Sequence, residues 1–161
     1  MIINGSELLY RAPIRCMINE KRREHGVSWG LSEAGYDIRI KQDIEFVEDV
    51  FWIDGVWMGE GNFTIASAIE EFQMPHNLVG IVHDKSTWAR QGLSVFNTVI
   101  ENGWCGFLTL ELVYHGRNRL HIPAGAGIAQ VIFHETSNFA AYNGKYQYQP
   151  DEPVKAIMSK A

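Results

Sequence analysis

The chain has 161 residues, of which 46% are hydrophobic and 20% charged, and its net charge is −5. These values fit one globular domain, residues 1–161, and exclude disorder and a coiled coil. The acidic balance also excludes non-specific binding to nucleic acid, which needs a basic surface. An anionic ligand would therefore require a local cluster of positive charge.

The two cysteines, Cys16 and Cys105, lie far apart and outside any CxxC pair. The sequence therefore predicts neither a disulfide framework nor a structural zinc site, and it fits a reducing cytoplasm. No basic segment followed by a long apolar run occurs at the N-terminus, so we expect neither a signal peptide nor a membrane span.

The predicted elements begin with a short N-terminal helix, for which Ser6 is the expected N-cap and which Pro13 would end. The polar run from Lys21 to Gly26 predicts a solvated loop. Short alternating or apolar runs then predict strands at residues 36–40, 43–46, 63–66, 78–83, 107–114 and 128–133. Their spacing favours a mainly β fold, as a sandwich, barrel or jelly roll. Residues 150–161 are polar, contain two prolines and are expected to fray.

The segment after the predicted strand at 78–83 concentrates groups that suit a phosphate ester. It contains Lys85, Ser86, Thr87 and Arg90 within six positions. Hydroxyls donate hydrogen bonds to phosphate oxygens, lysine supplies a point charge, and arginine supplies a planar fork. The alternative interpretation is a polar helical turn with surface charges.

One carboxylate interrupts the apolar strand predicted at 107–114. Strand alternation places Thr109 and Glu111 on the same face. A glutamate in such a position is either paired with a cation, for which Arg90 is a candidate, or has a raised pKa. The second condition is what a general base near neutral pH needs.

A second carboxylate, Glu101, stands beside a predicted tight turn. Residues 99–106 predict a β-hairpin with Asn102-Gly103 at its tip. Glu101 is then either an exposed side chain or a functional one. Another turn, at 123–128, leads into an apolar strand, and its glycines are expected to serve backbone geometry.

Several common catalytic motifs are missing from the sequence. It has no GxxxxGK(S/T) loop and no GxGxxG, so neither of these nucleotide cradles is present. The six histidines lack HExxH spacing, and the HxE and PCxxC pairs of zinc deaminases are absent. The sequence therefore predicts no zinc centre.

Five motifs follow one another along most of the chain: SEAGYDIR at 32–39, KSTWARQGL at 85–93, GWCG at 103–106 with Leu110-Glu111 after it, GIAQVI at 127–132, and KYQYQ at 145–149. Each is weak alone, but in this order they resemble the dCTP deaminases of the trimeric dUTPase-like superfamily. The pattern is similar to that of a phage-type member, which would place the protein in a host cytoplasm.

The resemblance implies a distorted β-barrel or jelly-roll protomer and a homotrimer with active sites between subunits. It implies zinc-free conversion of dCTP to dUTP and ammonia. Glu111 would activate the water that attacks C4 of cytosine and would pass its proton to the leaving ammonia. Ser86 and Arg90 would hold water and charge around that centre.

The resemblance also implies a set of substrate-binding residues: Lys85, Ser86, Thr87, Arg90, Glu101, Thr109, Tyr142, Lys145 and Gln149. Those of the 85–90 segment would meet the triphosphate, and Tyr142, Lys145 and Gln149 would close over the nucleotide. Magnesium would be bound through the triphosphate, and dTTP is a candidate inhibitor.

One departure from the deaminase pattern favours an alternative function. The connection from Thr98 to Trp104 is short and is similar to the dUTPase loop, in which an aspartate at the position of Glu101 contacts the sugar and activates the hydrolytic water. This favours a dUTP pyrophosphatase or a bifunctional dCTP deaminase/dUTPase. Glu111, the Lys-Tyr-x-x-Gln ending and the lack of a glycine-rich C-terminal arm argue against a pure dUTPase. A non-catalytic nucleotide-binding regulatory module is the third hypothesis.

Overall fold

The computed structural model describes residues 1–158. Its helices and strands are, in chain order, β1 (Ile2–Ile3), α1 (Gly5–Arg11), β2 (Lys21–Glu24), β3 (Val27–Leu31), β4 (Tyr36–Arg39), β5 (Ile44–Val47), β6 (Val50–Ile53), β7 (Val56–Glu60), β8 (Phe63–Gln73), β9 (Leu78–Asp84), α2 (Ser86–Ala89), β10 (Leu93–Val95), β11 (Val99–Ile100), β12 (Cys105–Tyr114), β13 (Leu120–Ile122) and β14 (Gly127–Glu135). Each of the six predicted strands overlaps an observed one.

The strands form three antiparallel sheets, and over residues 1–158 these sheets are not closed into a barrel. The largest has the order β11-β9-β14-β4-β3-β2, with β1 paired to β14. The second has the order β10-β12-β8, and the third has the order β13-β5-β6-β7. The fold is mainly β and jelly-roll-like, which confirms the predicted class.

All three sheets contribute to one hydrophobic core. Its largest fully buried side chains include Tyr36, Phe46, Phe72 and Phe133. Alternation explains the packing, because every second residue of a strand faces the same side. β12 follows this rule over its second half, where Leu110, Leu112 and Tyr114 are buried and the residues between them are partly exposed.

The N-terminal helix exists, but its predicted cap was wrong. α1 begins at Gly5, so Ser6 lies inside the helix and Asn4 takes the N-cap position. The Asn4 side chain makes no capping bond and instead donates to the Glu33 carbonyl at 2.7 Å. The helix ends before Pro13, as predicted. Neither helix in residues 1–158 is long and apolar enough to span a membrane.

The loop predicted at 21–26 was also wrong. Lys21 to Glu24 form the edge strand β2, which pairs with β3 through a turn at His25-Gly26, where both residues have positive φ. The side chains of β2 are exposed, and charged side chains are typical of an edge strand that must not pair with another chain. The polar run in the sequence therefore corresponds to an edge strand of the largest sheet.

The hairpin predicted at 99–106 does not form. β11 pairs with β9 in the largest sheet, whereas β12 pairs with β8 and β10 in the second sheet. The turn between them is closed by the Trp104 N–H, which donates to the Glu101 carbonyl at 3.1 Å. The turn therefore carries the chain from one sheet to another.

The turn at 123–128 confirms the backbone role of its glycines. The Ala126 N–H donates to the Pro123 carbonyl at 3.1 Å, and Gly125 has a φ of 86°. A Cβ on Gly127 would lie 2.0 Å from the Ser28 carbonyl oxygen, so no larger residue fits there.

Candidate active site

A cavity of about 980 Å³ opens beside the second sheet. One wall is formed by β8 and β12, a second by β6 and β7, a third by residues 98–101, and the last by residues 142–156 of the C-terminal segment. Five predicted site residues line it: Glu101, Thr109, Glu111, Tyr142 and Gln149. Most other lining side chains are apolar, which lowers the local dielectric constant around any charge in the cavity.

Glu111 is the carboxylate that β12 presents to this cavity. It lies opposite Ile65 of β8 in the strand register. Its Oε2 is buried and has no hydrogen-bond partner. Burial raises the pKa of the Glu111 carboxyl, and no described charged group lies close enough to counter that effect. The predicted alternative, a salt bridge to Arg90, is therefore not formed within the chain.

Glu101 lines the same cavity from the turn between two sheets. Its side chain is exposed, unlike that of Glu111. The residue after it, Asn102, is 8% exposed, and its Nδ2 donates to the His76 carbonyl at 3.1 Å and to Thr136 Oγ1 at 2.8 Å. The buried amide of Asn102 thus fixes the turn. The cavity contains two carboxylates in different environments, the exposed Glu101 and the half-buried Glu111.

Gln149 joins the C-terminal segment to β12. Its Oε1 accepts hydrogen bonds from the Thr109 N–H at 3.3 Å and from Thr109 Oγ1 at 3.2 Å. Its carbonyl accepts from the Phe107 N–H at 3.1 Å, and it forms a parallel bridge with Gly106. Gly106 permits this approach, because a Cβ there would lie 2.6 Å from the Gln149 nitrogen.

Part of the segment expected to fray has fixed contacts. Lys41 Nζ bonds the Asp151 carbonyl at 2.7 Å, and the Val154 N–H donates to Thr109 Oγ1 at 3.0 Å. Lys145 Nζ donates to the Ile157 carbonyl, which directs this lysine away from the cavity lining. The final residues of the predicted frayed tail, 159–161, lie outside the described residues.

The residues that were predicted to bind phosphate lie outside the cavity. α2 is anchored by Trp88, which is buried and whose Nε1 donates to the Gly127 carbonyl at 2.6 Å. This leaves Ser86, Thr87 and Arg90 exposed, and none of them lines the cavity. The predicted group is therefore not brought to Glu111 within one chain.

Lys85 precedes α2 and forms a buried ion pair with Asp37 of β4. The side chains are 12% and 3% exposed, respectively. Ser28 Oγ also donates to Asp37 Oδ2 at 3.2 Å, while Asp37 Oδ1 is buried without a partner. The pair with Asp37 uses one of the three donors of the Lys85 ammonium.

Metal ligands do not cluster in residues 1–158: no three His, Cys, Asp or Glu side chains converge there. A divalent ion carried by a nucleotide triphosphate needs no such cluster, because the phosphate oxygens supply most of its ligands. The predicted binding of magnesium through the triphosphate stays a prediction. The predicted absence of zinc stays a prediction.

Two residues that hold the site were missed by sequence reasoning. The Asn102 side chain bonds the His76 carbonyl and Thr136 Oγ1, and the Gln147 side chain bonds three backbone groups around the cavity. Both lie inside motifs singled out in the sequence, but nothing in those motifs distinguishes an amide bonded within the fold from one that faces solvent. The signal would have been the neighbouring predicted site residues, Glu101 and Gln149.

Comparison with known proteins identifies relatives that cover most of the chain. Residues 39–136 match the family model described as "dCTP deaminase-like". A protein named dCTP deaminase from Chlamydia pneumoniae is 34% identical over 162 residues, which covers 87% of this chain and 85% of that protein.

Solved structures with the same fold belong to two kinds of enzyme. The 2′-deoxycytidine 5′-triphosphate deaminase from Agrobacterium tumefaciens aligns with a TM-score of 0.57 and 15% identity, over 82% of this chain and 47% of that one. A mutant dUTPase from phage phi11 of S. aureus, described as coordinating a structural Mg(II) ion, aligns with a TM-score of 0.55 and 14% identity, over 82% and 95% of the two chains. At this identity the structural likeness supports the fold.

Proposed function

Because the chain belongs to the dCTP deaminase-like family, we propose that it hydrolyses dCTP to dUTP and ammonia. The observation that carries this proposal is Glu111, a carboxylate with a raised pKa and an unpartnered buried oxygen inside a mostly apolar cavity. A raised pKa makes this carboxylate a stronger base than an ordinary glutamate, and hydrolytic deamination without a metal-bound hydroxide requires such a general base.

Glu111 serves both proton transfers of the reaction. As the carboxylate it takes a proton from water, and the resulting hydroxide attacks C4 of cytosine to give a tetrahedral intermediate. As the carboxylic acid it returns that proton to the amino nitrogen, the C4–N bond breaks, and ammonia leaves. Its raised pKa brings the two protonation states closer in free energy at neutral pH.

The active site is completed by a second copy of the chain. Ser86, Thr87 and Arg90 are exposed on α2 and do not reach the cavity of their own chain. In the homotrimer that we propose, α2 of one subunit faces the cavity of the next. There Ser86 and Arg90 hold the attacking water and developing charge, and Lys85 and Thr87 contact the triphosphate.

Exposed apolar side chains support this assembly. Val56, Trp57 and Met58 of β7 are each more than half exposed, and Phe63 packs with Phe96 at a ring distance of 6.3 Å on the surface. Met58 and Phe63 also line the cavity. An apolar surface that borders an active site is typical of a subunit interface.

The remaining substrate contacts in this proposal come from the C-terminal segment and β12. Thr109, Tyr142 and Gln149, which line the cavity, would bind the sugar and base, and Lys145 would exchange its contact with Ile157 for a phosphate. Magnesium arrives on the triphosphate as part of the substrate, and dTTP competes for the same cavity. Both cysteines are free, which supports a reducing compartment such as the cytoplasm. The relative named above is bacterial, so the phage-type assignment stays a prediction.

One observation favours a second function. Glu101 lines the same cavity as Glu111, on a turn whose length is similar to that of the dUTPase loop. A carboxylate there suits activation of a water aimed at the phosphates, which would make the protein bifunctional or a dUTP pyrophosphatase. If the protein were only a regulatory module that binds nucleotides, the raised pKa of Glu111 would have no function.

One incubation separates these functions. Purified protein with dCTP and magnesium should release ammonia in step with dUTP, and the triphosphate should stay intact. Pyrophosphate release from dCTP or dUTP would identify the pyrophosphatase activity, and nucleotide binding without either product would leave the regulatory module. Absence of ammonia overturns the proposed function.

A further inference from the structure

The C-terminal wall of the cavity, which we define as residues 142–149, is held by two amide side chains that do not line the cavity themselves. The wall contributes Tyr142, Tyr146 and Gln149 to the lining. The two amides belong to Gln147, within the wall, and to Asn102, in the turn beside it. Their contacts decide where the lining residues sit.

Gln147 bonds three backbone groups with one side chain. Its Oε1 accepts from the Cys105 N–H at 2.8 Å, and its Nε2 donates to the Gly103 carbonyl at 2.9 Å and to the Tyr142 carbonyl at 3.2 Å. Both ends of the amide are therefore satisfied. These bonds tie the wall to the start of β12 and to the turn that presents Glu101.

Asn102 holds the other side of the same junction. Its side chain bonds the His76 carbonyl and Thr136 Oγ1, and its own carbonyl accepts from the Tyr142 N–H at 2.7 Å. Tyr142 is therefore fixed at its N–H by Asn102 and at its carbonyl by Gln147. A further bond, from Trp104 Nε1 to the Tyr146 carbonyl at 2.6 Å, locks the middle of the wall.

We propose that Gln147 is a positioning residue, with Asn102 as its support, which assembles the C-terminal wall before any nucleotide binds. The proposal rests on the proposed function, since the wall matters only if the cavity binds dCTP. The bonds that support it join groups of one chain, so they do not require a contact from the nucleotide. A preassembled wall avoids an ordering cost at the moment of binding.

Substitution of Gln147 tests this role. Gln147→Met keeps the length of the side chain and removes all three hydrogen bonds. Gln147→Glu keeps an acceptor for the Cys105 N–H but sets a carboxylate oxygen against two carbonyls. Because the wall must then be ordered by the substrate, the KM for dCTP should rise about 10- to 100-fold in both variants, while kcat stays within about threefold.

A matched control is Gln73→Met, since Gln73 is exposed and lies opposite Cys105 in the strand register. It should keep the wild-type KM. Hydrogen exchange of the wall should speed up at least about tenfold in both Gln147 variants, and exchange in β14 should not change. The β14 signal separates loss of the wall from general loss of the fold.

The outcomes separate this inference from the proposed function. If the wild type releases no ammonia, the proposed function fails, and hydrogen exchange alone decides whether Gln147 holds the wall. If the wild type is active and the Gln147 variants keep its KM, the positioning role is overturned. A fall in kcat at unchanged KM overturns it as well, because the wall would then act on chemistry and not on binding. Unchanged hydrogen exchange in the wall of the Gln147 variants would also overturn the positioning role.

Discussion

Replacing Glu111 with glutamine should move activity and stability in opposite directions. The change keeps the shape of the side chain and removes its basic carboxylate. Loss of a general acid–base group costs about 10²–10⁴ in rate, so ammonia release should fall by that factor. The KM for dCTP should stay close to that of the wild type, because glutamine still fills the same position beside the base.

The stability gain follows from the charge of Glu111, which burial disfavours and which no described cation offsets, whereas glutamine is neutral. A buried polar or charged group without a partner costs about 1–3 kcal/mol, and the low end applies because Glu111 is only half-buried. We expect the free energy of unfolding of Glu111→Gln at pH 7 to exceed that of the wild type by about 1 kcal/mol. For a domain of this size, that corresponds to a melting temperature about 2–4 °C higher.

The pH dependence gives this prediction a second check. Burial raises the pKa of folded Glu111 above its ordinary value of 4.5, so ionisation destabilises the folded state at neutral pH. The penalty disappears as the pH falls below that ordinary value, where both states are protonated. The advantage of Glu111→Gln should therefore be present at pH 7 and absent near pH 4.

The assay measures ammonia release and thermal unfolding on the same samples. Glu101→Gln is the control for stability, because Glu101 is exposed, and its melting temperature should match the wild type at both pH values. Wild-type ammonia release by Glu111→Gln would refute the mechanism. A lower melting temperature at pH 7 would show that Glu111 has a stabilising partner and refute the assignment of its environment.

Four further predictions test other parts of the site. Gly106→Ala should raise the KM for dCTP about tenfold in steady-state assays, because its Cβ would lie 2.6 Å from a backbone nitrogen of the C-terminal wall; an unchanged KM would contradict the docking described above. Asp37→Asn should lower the free energy of unfolding in urea by about 3–5 kcal/mol, because it leaves Lys85 buried without its carboxylate; wild-type stability would mean that the pair contributes nothing. Mixed oligomers of two inactive variants, Arg90→Ala and Glu111→Gln, should recover ammonia release, because some sites then combine intact residues from two subunits; no recovery after subunit exchange would place both residues in one chain's site. Removal of magnesium should abolish dCTP turnover, and zinc depletion checked by metal analysis should not; activity that follows the zinc content would refute the zinc-free mechanism.

Strand periodicity explains how much of the fold and the site the sequence revealed. The long strands β8, β12 and β14 have runs of alternating or apolar residues, and these were found together with the face that carries Glu111. The period of two fixes the face of a residue wherever one side of a sheet is buried. The face of β12 that carries Glu111 could therefore be predicted from its neighbours in sequence, whereas the cavity in front of that face could not.

Strand partners and buried amides could not be predicted in this way. Residues 99–106 have the local chemistry of a hairpin, but β11 pairs with β9 because Ile100 is buried in the core beside Gly80. The strand partner of β11 is therefore set by residues about twenty positions away in the sequence. Gln147 likewise resembles any exposed glutamine in the sequence, and only the folded backbone at Gly103, Cys105 and Tyr142 gives it three partners.

The turn that joins two sheets has a consequence for how this domain tolerates insertions. In a hairpin, an added residue shifts the pairing of both strands, and each shift by one residue turns a strand's side chains to the opposite face. Here β11 and β12 have separate partners, so residues added near Asn102 would lengthen the connection without changing the register of β12. Glu111 would keep its face while the reach of Glu101 changed. A change of loop length at this position would thus disturb the contacts of Asn102 but would not turn Glu111 to the opposite face of β12.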